Sequence, residues 1–456
     1  MKRTLLLSLG LLATSSYAQE HFSGINTSRR TGILNASLNP AELVNLKNDN
    51  EVNVFTFSAN VSNNKISFGD LVGGEDLGNL IFTGSEPVNM RADVEILGPS
   101  FAMKYDKWAF AVTTGAKIKA SLVDIDVNLG DALANSGVDA LLGNPVYINT
   151  DYNQRAASTA WGEIGFSAAR EIFENDTHKF SGGATFKLIF PGTYANMSAD
   201  KFNGTIEGVV ELNSQQQVID TYVGLTDATA NVNLAYSGAL GDSFTDSSNF
   251  SEFFAGGLNG FSADLGANYQ WKNENGGYNI NAGVAVRNIG SMTFKDDNNV
   301  NKSYEVNVPN GQYLNLDQFE DVDNIDEVEE ILVNSGYATL IESGKDFKIK
   351  QPTVLSLYAD ANVYNNWYVT AYLQQKLSDA SENNRVGSQN IFTVTPRYST
   401  NFFEAYAPFS SNEISGFTAG IGFRIGGFFI GSGSILSAAI GDTTQADGYL
   451  GFRFGF

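Results

Sequence analysis

After Glu51 the chain repeats one unit: roughly ten residues of alternating apolarity, the length of a membrane-crossing strand, followed by a turn. An extended strand has a side-chain period of two, so each unit has one apolar face and one polar face. Trp108, Phe110 and Val112 share a parity, as do Phe180, Phe186, Leu188 and Phe190, then Phe202, Ile206, Val210 and Leu212, then Phe261, Leu265, Tyr269 and Trp271. Any one of these would suit a half-buried strand of a soluble sandwich. Their connections would not. Those at 106, 174, 214, 273, 365 and 426 are short, whereas 62–90, 121–155, 191–199, 237–259, 295–346 and 378–389 are longer. Transmembrane barrels keep that asymmetry, with short turns at one end and long loops at the other, and a Greek-key sandwich has no reason to. The expected fold is all-β: a single antiparallel transmembrane β-barrel over 51–456, of about 14–16 strands and sixteen on this count. Closure leaves no unpaired edge, as a sheet in lipid requires.

Composition agrees with this. The 46 glycines, 32 Phe and 19 Tyr, with 17% charged residues, suit short strands rather than helices. A net charge of -22 argues against nucleic acid as a partner. Residues 1–18 read as a secretory signal peptide: Lys2 and Arg3, an apolar core from Leu5 to Ala13, then Ser16-Tyr17-Ala18 as the cleavage site. With no cysteine there is neither a disulfide nor a lipid anchor on cysteine. His21 and His178 are the two histidines, too few for a His-metal cluster, and His178 falls in a short turn. No catalytic residues and no cofactor are expected. Residues 19–50 have no regular period and form either an ordered leader or a plug.

If the apolar parity faces lipid, the other lines the lumen. It carries Lys117, Lys187, Arg287, Arg424 and Arg453 together with Glu163, Glu207, Asp264 and Asp360. Two readings follow: a network of ion pairs that stiffens the barrel, or a charged constriction that selects solutes. The longest loop holds Asp317, Glu320, Asp321, Asp323, Asp326, Glu327, Glu329 and Glu330. There Asn324 and Glu327 have capping-box spacing, and Ile325, Val328, Ile331 and Leu332 make a helical stripe, so a short amphipathic helix is expected. A calcium loop starting at Asp321 fails because Asp326 stands where glycine belongs and Leu332 where the bidentate glutamate should be.

The last stretch, Gly448 to Phe456, alternates again. Leu450, Phe452, Phe454 and Phe456 form an apolar face, with Arg453 and two glycines on the other. It resembles the C-terminal recognition strand of bacterial outer-membrane barrels, which implies an assembly signal for the barrel assembly machinery and outer-membrane lipid as the surrounding solvent.

Four further runs carry a wider likeness: Asn39-Pro40-Ala41, Val286-Arg-Asn-Ile-Gly290, Gln351-Pro-Thr-Val354, and the stretch from Gly426-Gly-Phe-Phe-Ile-Gly-Ser-Gly-Ser-Ile-Leu436 to the terminal strand. Together they resemble an uncharacterised family of outer-membrane barrel proteins, distantly similar to the long-chain fatty-acid transporter superfamily, which includes a barrel component of the type IX secretion system. The resemblance implies that Asn39, Pro40 and Ala41 belong to a plug over 19–50, and that a hydrophobic or small amphipathic ligand moves through the barrel. The polar lumen departs from that superfamily in emphasis. A second function stays open, a non-transporting scaffold whose long loops dock surface or secreted proteins.

Overall fold

The computed structural model describes residues 21–456 apart from 29, 31, 74–79, 136–142, 238–256, 275, 321, 323 and 442. The signal peptide therefore lies outside the described residues, as do Asp321 and Asp323.

Fourteen antiparallel staves close into a ring. In chain order they are Asn50–Asn63, Val88–Leu97 continued by Ser100–Tyr105, Trp108–Ile125, Asn153–Glu174, the first part of His178–Leu212, Gly260–Lys272 and Tyr278–Phe294. Phe347–Lys350 continued by Val354–Tyr364, Trp367–Lys376, Ile391–Ser399, Phe403–Tyr406 continued by Phe409–Asn412, Gly416–Ala419 continued by Ile421–Ile425, Phe428–Ser432 and Gln445–Gly455 complete them. The first stave pairs with the last, Phe57 opposite Leu450 and Thr56 opposite Gly451, so the sheet has no free edge around the ring. All connections at one end are short: 106–107, 175–177, 273–277, 365–366, 400–402 and 426–427. This is the turn end; the other is the loop end.

The apolar parity does point outward. Phe101, Phe110, Phe186, Phe261, Leu265, Phe392, Phe423, Phe452 and Phe454 are all exposed. A continuous belt of exposed phenylalanine would be a liability in water and is the normal surface of a barrel in lipid. Trp108, Trp271 and Trp367 stand exposed around the turn end, where an interfacial aromatic girdle belongs. No helix among the described residues is long and apolar enough to cross a membrane.

The count of sixteen is two too many, for a physical reason. Phe202 to Leu212 is the far end of a 35-residue strand, His178–Leu212, which leaves the ring and runs on past the loop end. Val218–Tyr236 returns beside it, and Gly260–Lys272 continues down the same flank of the strand. The short turn near 214 is thus the tip of a projection rather than a turn-end connection. Phe202 and Ile206 are buried not by lipid but within a separate core with Val223, Leu225, Leu234, Val306 and Val328. A half-buried strand has the same period whichever apolar phase covers it. The covering layer consists of the helices Val127–Asn135 and Ile325–Asn334 and the 3-10 turn Leu316–Phe319, packed on a sheet completed by Val300–Val308 and Ala338–Gly344. The acidic loop does form its helix, with the Asn324 side chain accepting from Glu327 N at 2.9 Å.

Candidate functional site

The described residues between His21 and Asp49 lie inside the ring, against its staves. Gly32 has a positive φ that starts the helix Ile33–Leu38, Asn39 is extended, and Pro40 opens the 3-10 turn Pro40–Asn45. Proline suits that first position because no intrahelical partner exists there for the N–H it lacks. Asn39 Oδ1 accepts from Ala41 N at 3.0 Å, which leaves its Nδ2 free to reach the wall. There it donates to Ala267 O at 2.9 Å and to the Tyr358 hydroxyl at 3.2 Å. Ser181 Oγ donates to Ala41 O at 3.1 Å.

The wall makes room for this segment by omitting side chains. Gly183 and Gly266 are paired on neighbouring staves. A Cβ on Gly183 would fall 2.6 Å from both Pro40 C and Ala41 N, and one on Gly266 2.0 Å from Asn39 Oδ1. No other residue type allows so close an approach.

Glu42 fastens the same turn to three staves at once. Its Oε1 accepts from Asn268 at 2.8 Å, from Asn281 at 2.9 Å and from the Tyr358 hydroxyl. A buried carboxylate needs such donors, and bonds of this type are the stronger ones. On the opposite wall Arg397 donates to Gly24 O at 2.5 Å and Tyr449 to Ser23 O at 2.7 Å. Between these anchors Phe22, Ile25 and Leu34 fill an apolar niche formed by Tyr406, Phe429 and Tyr449, with the Phe22 and Tyr449 rings edge-on at 5.9 Å.

Eight of the nine charges assigned to the lumen stand on the ring. Lys117 sits between Glu95 at 3.6 Å and Glu163 at 3.3 Å, and Lys187 pairs with Asp264 at 2.7 Å. Asp360 meets Arg397 at 3.5 Å, Arg424 meets Glu404 at 3.5 Å, and Arg453 meets Glu51 at 2.7 Å. Arg287 is held by neutral groups, Ser356 Oγ at 3.1 Å and Gln374 Oε1 at 2.8 Å, and reaches the inner segment at Ser37 O, 3.5 Å away. Glu207 is the exception. It stands on the projection beyond the ring and accepts from the Tyr313 hydroxyl at 2.8 Å.

Sequence reasoning missed Glu42, Glu51, Arg397 and Glu404. Arg397 and Glu404 sit on the polar parity of alternating segments, so parity alone could have found them; Glu51 precedes the first repeat and Glu42 lies in aperiodic chain, so neither carries such a signal. The runs Val286–Gly290 and Gln351–Val354 are neighbours on the wall. Asn288, at positive φ in a bulge, accepts from Thr353 Oγ1 at 3.0 Å, and Gln351 N donates to Gly290 O at 2.9 Å. Through Arg287 they adjoin the segment that carries Asn39-Pro40-Ala41, so three of the four runs that carried the resemblance lie close together.

At the loop end one loop turns inward. Arg155 donates to Ala380 O at 2.8 Å and Arg385 O at 2.9 Å, and the Tyr194 hydroxyl to Asn383 O at 2.6 Å, drawing the loop 377–390 inward.

The model of a family of unknown function, DUF5723, matches residues 40–433. The chain belongs to that family. The match begins at Pro40, inside the ring, and ends in the loop that follows the thirteenth stave. No curated protein matches by sequence. Among solved structures the chain is similar to the Pseudomonas putida toluene transporter TodX, at 10% identity and TM-score 0.40 over 96% of this chain and 97% of that one. The Ralstonia pickettii toluene transporter TbuX gives 10% and 0.40 over 95% and 96%, and a Pseudomonas aeruginosa FadL homologue 10% and 0.41 over 96% and 97%. TM-scores below 0.5 carry no function across to this DUF5723 chain. Its own geometry, a closed ring with an apolar belt and a polar interior, is that of an outer-membrane β-barrel.

Proposed function

We propose that this barrel lies in the outer membrane with its turn end in the periplasm, and that it passes small hydrophobic or amphipathic molecules when the segment 21–49 moves. One observation carries the reading: Phe22, Ile25 and Leu34 of the plug occupy an apolar niche whose other half, Tyr406, Phe429 and Tyr449, belongs to the wall. Displacing the segment uncovers a niche with apolar faces and two hydroxyls, the composition of a small-molecule site. The attachment is non-covalent and made through individual side chains, so it can be released. Native mass spectrometry of the purified protein tests this. Small apolar molecules should co-purify in greater amount with Phe22→Ala than with the wild type, and an empty niche in both proteins would count against the reading.

A second reading, docking of a surface or secreted protein, is favoured by the strand Ala338–Gly344. Among the described residues it pairs with Val300–Val308 on one side only, and it is exposed along most of its length, including Leu340 and Ile341. An open edge can accept a partner strand. Cross-linking from Leu340→Cys in intact cells should trap that partner, and recovery of the monomer alone would speak against docking.

Assembly through the terminal stave is proposed on the same footing. Phe452, Phe454 and Phe456 form an exposed row, with ring centroids 6.4 and 6.2 Å apart. Replacing Phe456 by Asp should lower the amount of folded barrel in the outer membrane; an unchanged yield would remove that role.

A further inference from the structure

The thirteenth stave, Phe428–Ser432, is 5 residues long against 11 in the fourteenth, and the chain after it does not stand clear of the wall. It pairs with the twelfth from Ile425 opposite Phe428 to Ile421 opposite Ser432, and with the fourteenth only as far as Tyr449. Beyond that level, among the described residues, no strand lies between the twelfth and fourteenth staves. The helix Ile435–Ala439 touches both, and Ser437 Oγ accepts from Ala419 N at 2.8 Å, in place of a carbonyl from a longer thirteenth stave. Ala419 is six residues from Ile425 at the turn end. At about 3.3 Å per residue and a tilt of about 40° that is roughly 15 Å of height, inside the apolar band of about 25 Å expected of such a barrel.

The segment is built for that depth. No charged side chain occurs from Ile425 to Gly441. Ile435, Leu436, Ala439 and Ile440 are exposed, Ile440 at 80%, while Ser437 is buried against the protein. The N–H groups that open the helix are satisfied, Gly433 by Asp447 Oδ2 at 2.7 Å and Ser434 and Ile435 by Ser432 Oγ at 3.1 and 3.0 Å, as backbone in hydrocarbon must be. Phe417 and Ile430, exposed on the twelfth and thirteenth staves, bring the phenylalanine-rich belt up to the helix. We infer that this helix is a lipid anchor, its apolar face buried among acyl chains of the leaflet at the loop end. The inference rests on the outer-membrane reading and adds that one loop-end connection belongs to the membrane. Acyl chains are the occupant that the charge pattern selects, because this face offers nothing to a headgroup phosphate or to a charged protein surface.

Because the chain has no cysteine, single-cysteine variants can be labelled cleanly. Leu436→Cys and Ile440→Cys carry an environment-sensitive fluorophore. Leu265→Cys, exposed on the belt, and Val218→Cys, exposed at the tip of the projection, serve as references. Each protein is reconstituted into phosphatidylcholine vesicles, either with nitroxide-labelled acyl chains or with iodide added as an aqueous quencher. Labels at 436 and 440 should lose emission to the nitroxide lipid as the label at 265 does, and stay protected from iodide; the label at 218 should do the reverse. Heat-modifiable migration establishes folding, and either helix position suffices if the other variant does not fold. A folded variant whose label at 436 or 440 behaves like that at 218 would overturn the inference and leave the barrel in the membrane. A label at 265 open to iodide would overturn the outer-membrane reading itself, and the anchor with it.

Discussion

Gly183→Val puts the seating of the plug under direct test. Its new Cβ would lie 2.6 Å from Pro40 C and Ala41 N, backbone atoms that cannot turn away, so the 3-10 turn has to lift from the wall. The stave itself need not change, because the pairing of Gly183 with Gly266 and Ala169 is made by backbone. Lifting the turn breaks the Asn39 bonds to Ala267 and Tyr358, the Ser181 bond to Ala41, and the Asn268, Asn281 and Tyr358 bonds to Glu42. The three neutral bonds contribute about 1 kcal/mol each and the three to the carboxylate about 1.5–3 kcal/mol each, or roughly 8–12 kcal/mol together. Water entering the vacated seat returns much of that. If only about 2 kcal/mol remains, the seated fraction still falls roughly thirtyfold against the unseated one. Limited proteolysis reports the change as new cleavage within 21–49, and liposomes report it as leakage of a small neutral dye, with heat-modifiable migration confirming that the barrel is intact. A folded Gly183→Val barrel whose plug stays protected, and whose liposomes stay tight, would refute the seating described here.

Other perturbations separate the remaining parts of the structure. Glu404→Ala leaves Arg397 and Arg424, both 2% exposed, short of a shared partner and should cost about 3–5 kcal/mol; Lys107→Ala, an exposed lysine 3.7 Å from Glu171, should cost under about 1 kcal/mol. Urea titration of heat-modifiable migration compares the two, and equal losses would contradict the burial. Phe186→Lys, on the outward belt, should cost about 2–4 kcal/mol and deplete folded barrel, whereas Phe202→Ser should loosen only the projection; barrel loss from both would favour sixteen crossings. Burial, then the charges of Glu329 and Glu327, hold the Asp326 carboxyl above its ordinary value. A folded pKa above the unfolded one means a contribution that is full below about 3.9 and lost as pH rises through the raised value. Amide exchange in Ile325–Asn334, corrected for intrinsic rate, should be slower at low pH than at neutral pH, and Asp326→Asn should abolish the difference.

The class of fold was legible because lipid imposes a strict rule. Every crossing strand must show lipid one face, so Phe110, Phe186, Phe261 and Phe423 share a parity with their neighbours, and the alternation of short and long connections orders the crossings. The count went astray at Phe202 and Ile206, since burial beneath helices leaves the same period as burial in lipid. Parity also put eight of nine charges on the ring, although which cation meets which carboxylate depends on stave neighbours far apart in sequence, as with Arg453 and Glu51. The plug was the least legible part. Asn39 and Pro40 were conspicuous only through the family resemblance, and the seat that receives them consists of glycines, whose meaning lies in what another segment brings to them.

The account rests on the segment 21–49 closing the barrel from within, and single-channel recording in planar bilayers tests that most directly. Wild-type protein should be silent, and a variant lacking residues 20–45, shown to be folded by its heat-modifiable migration, should carry a steady current. A wild-type barrel that already conducts, or a folded deletion variant that remains silent, would contradict it.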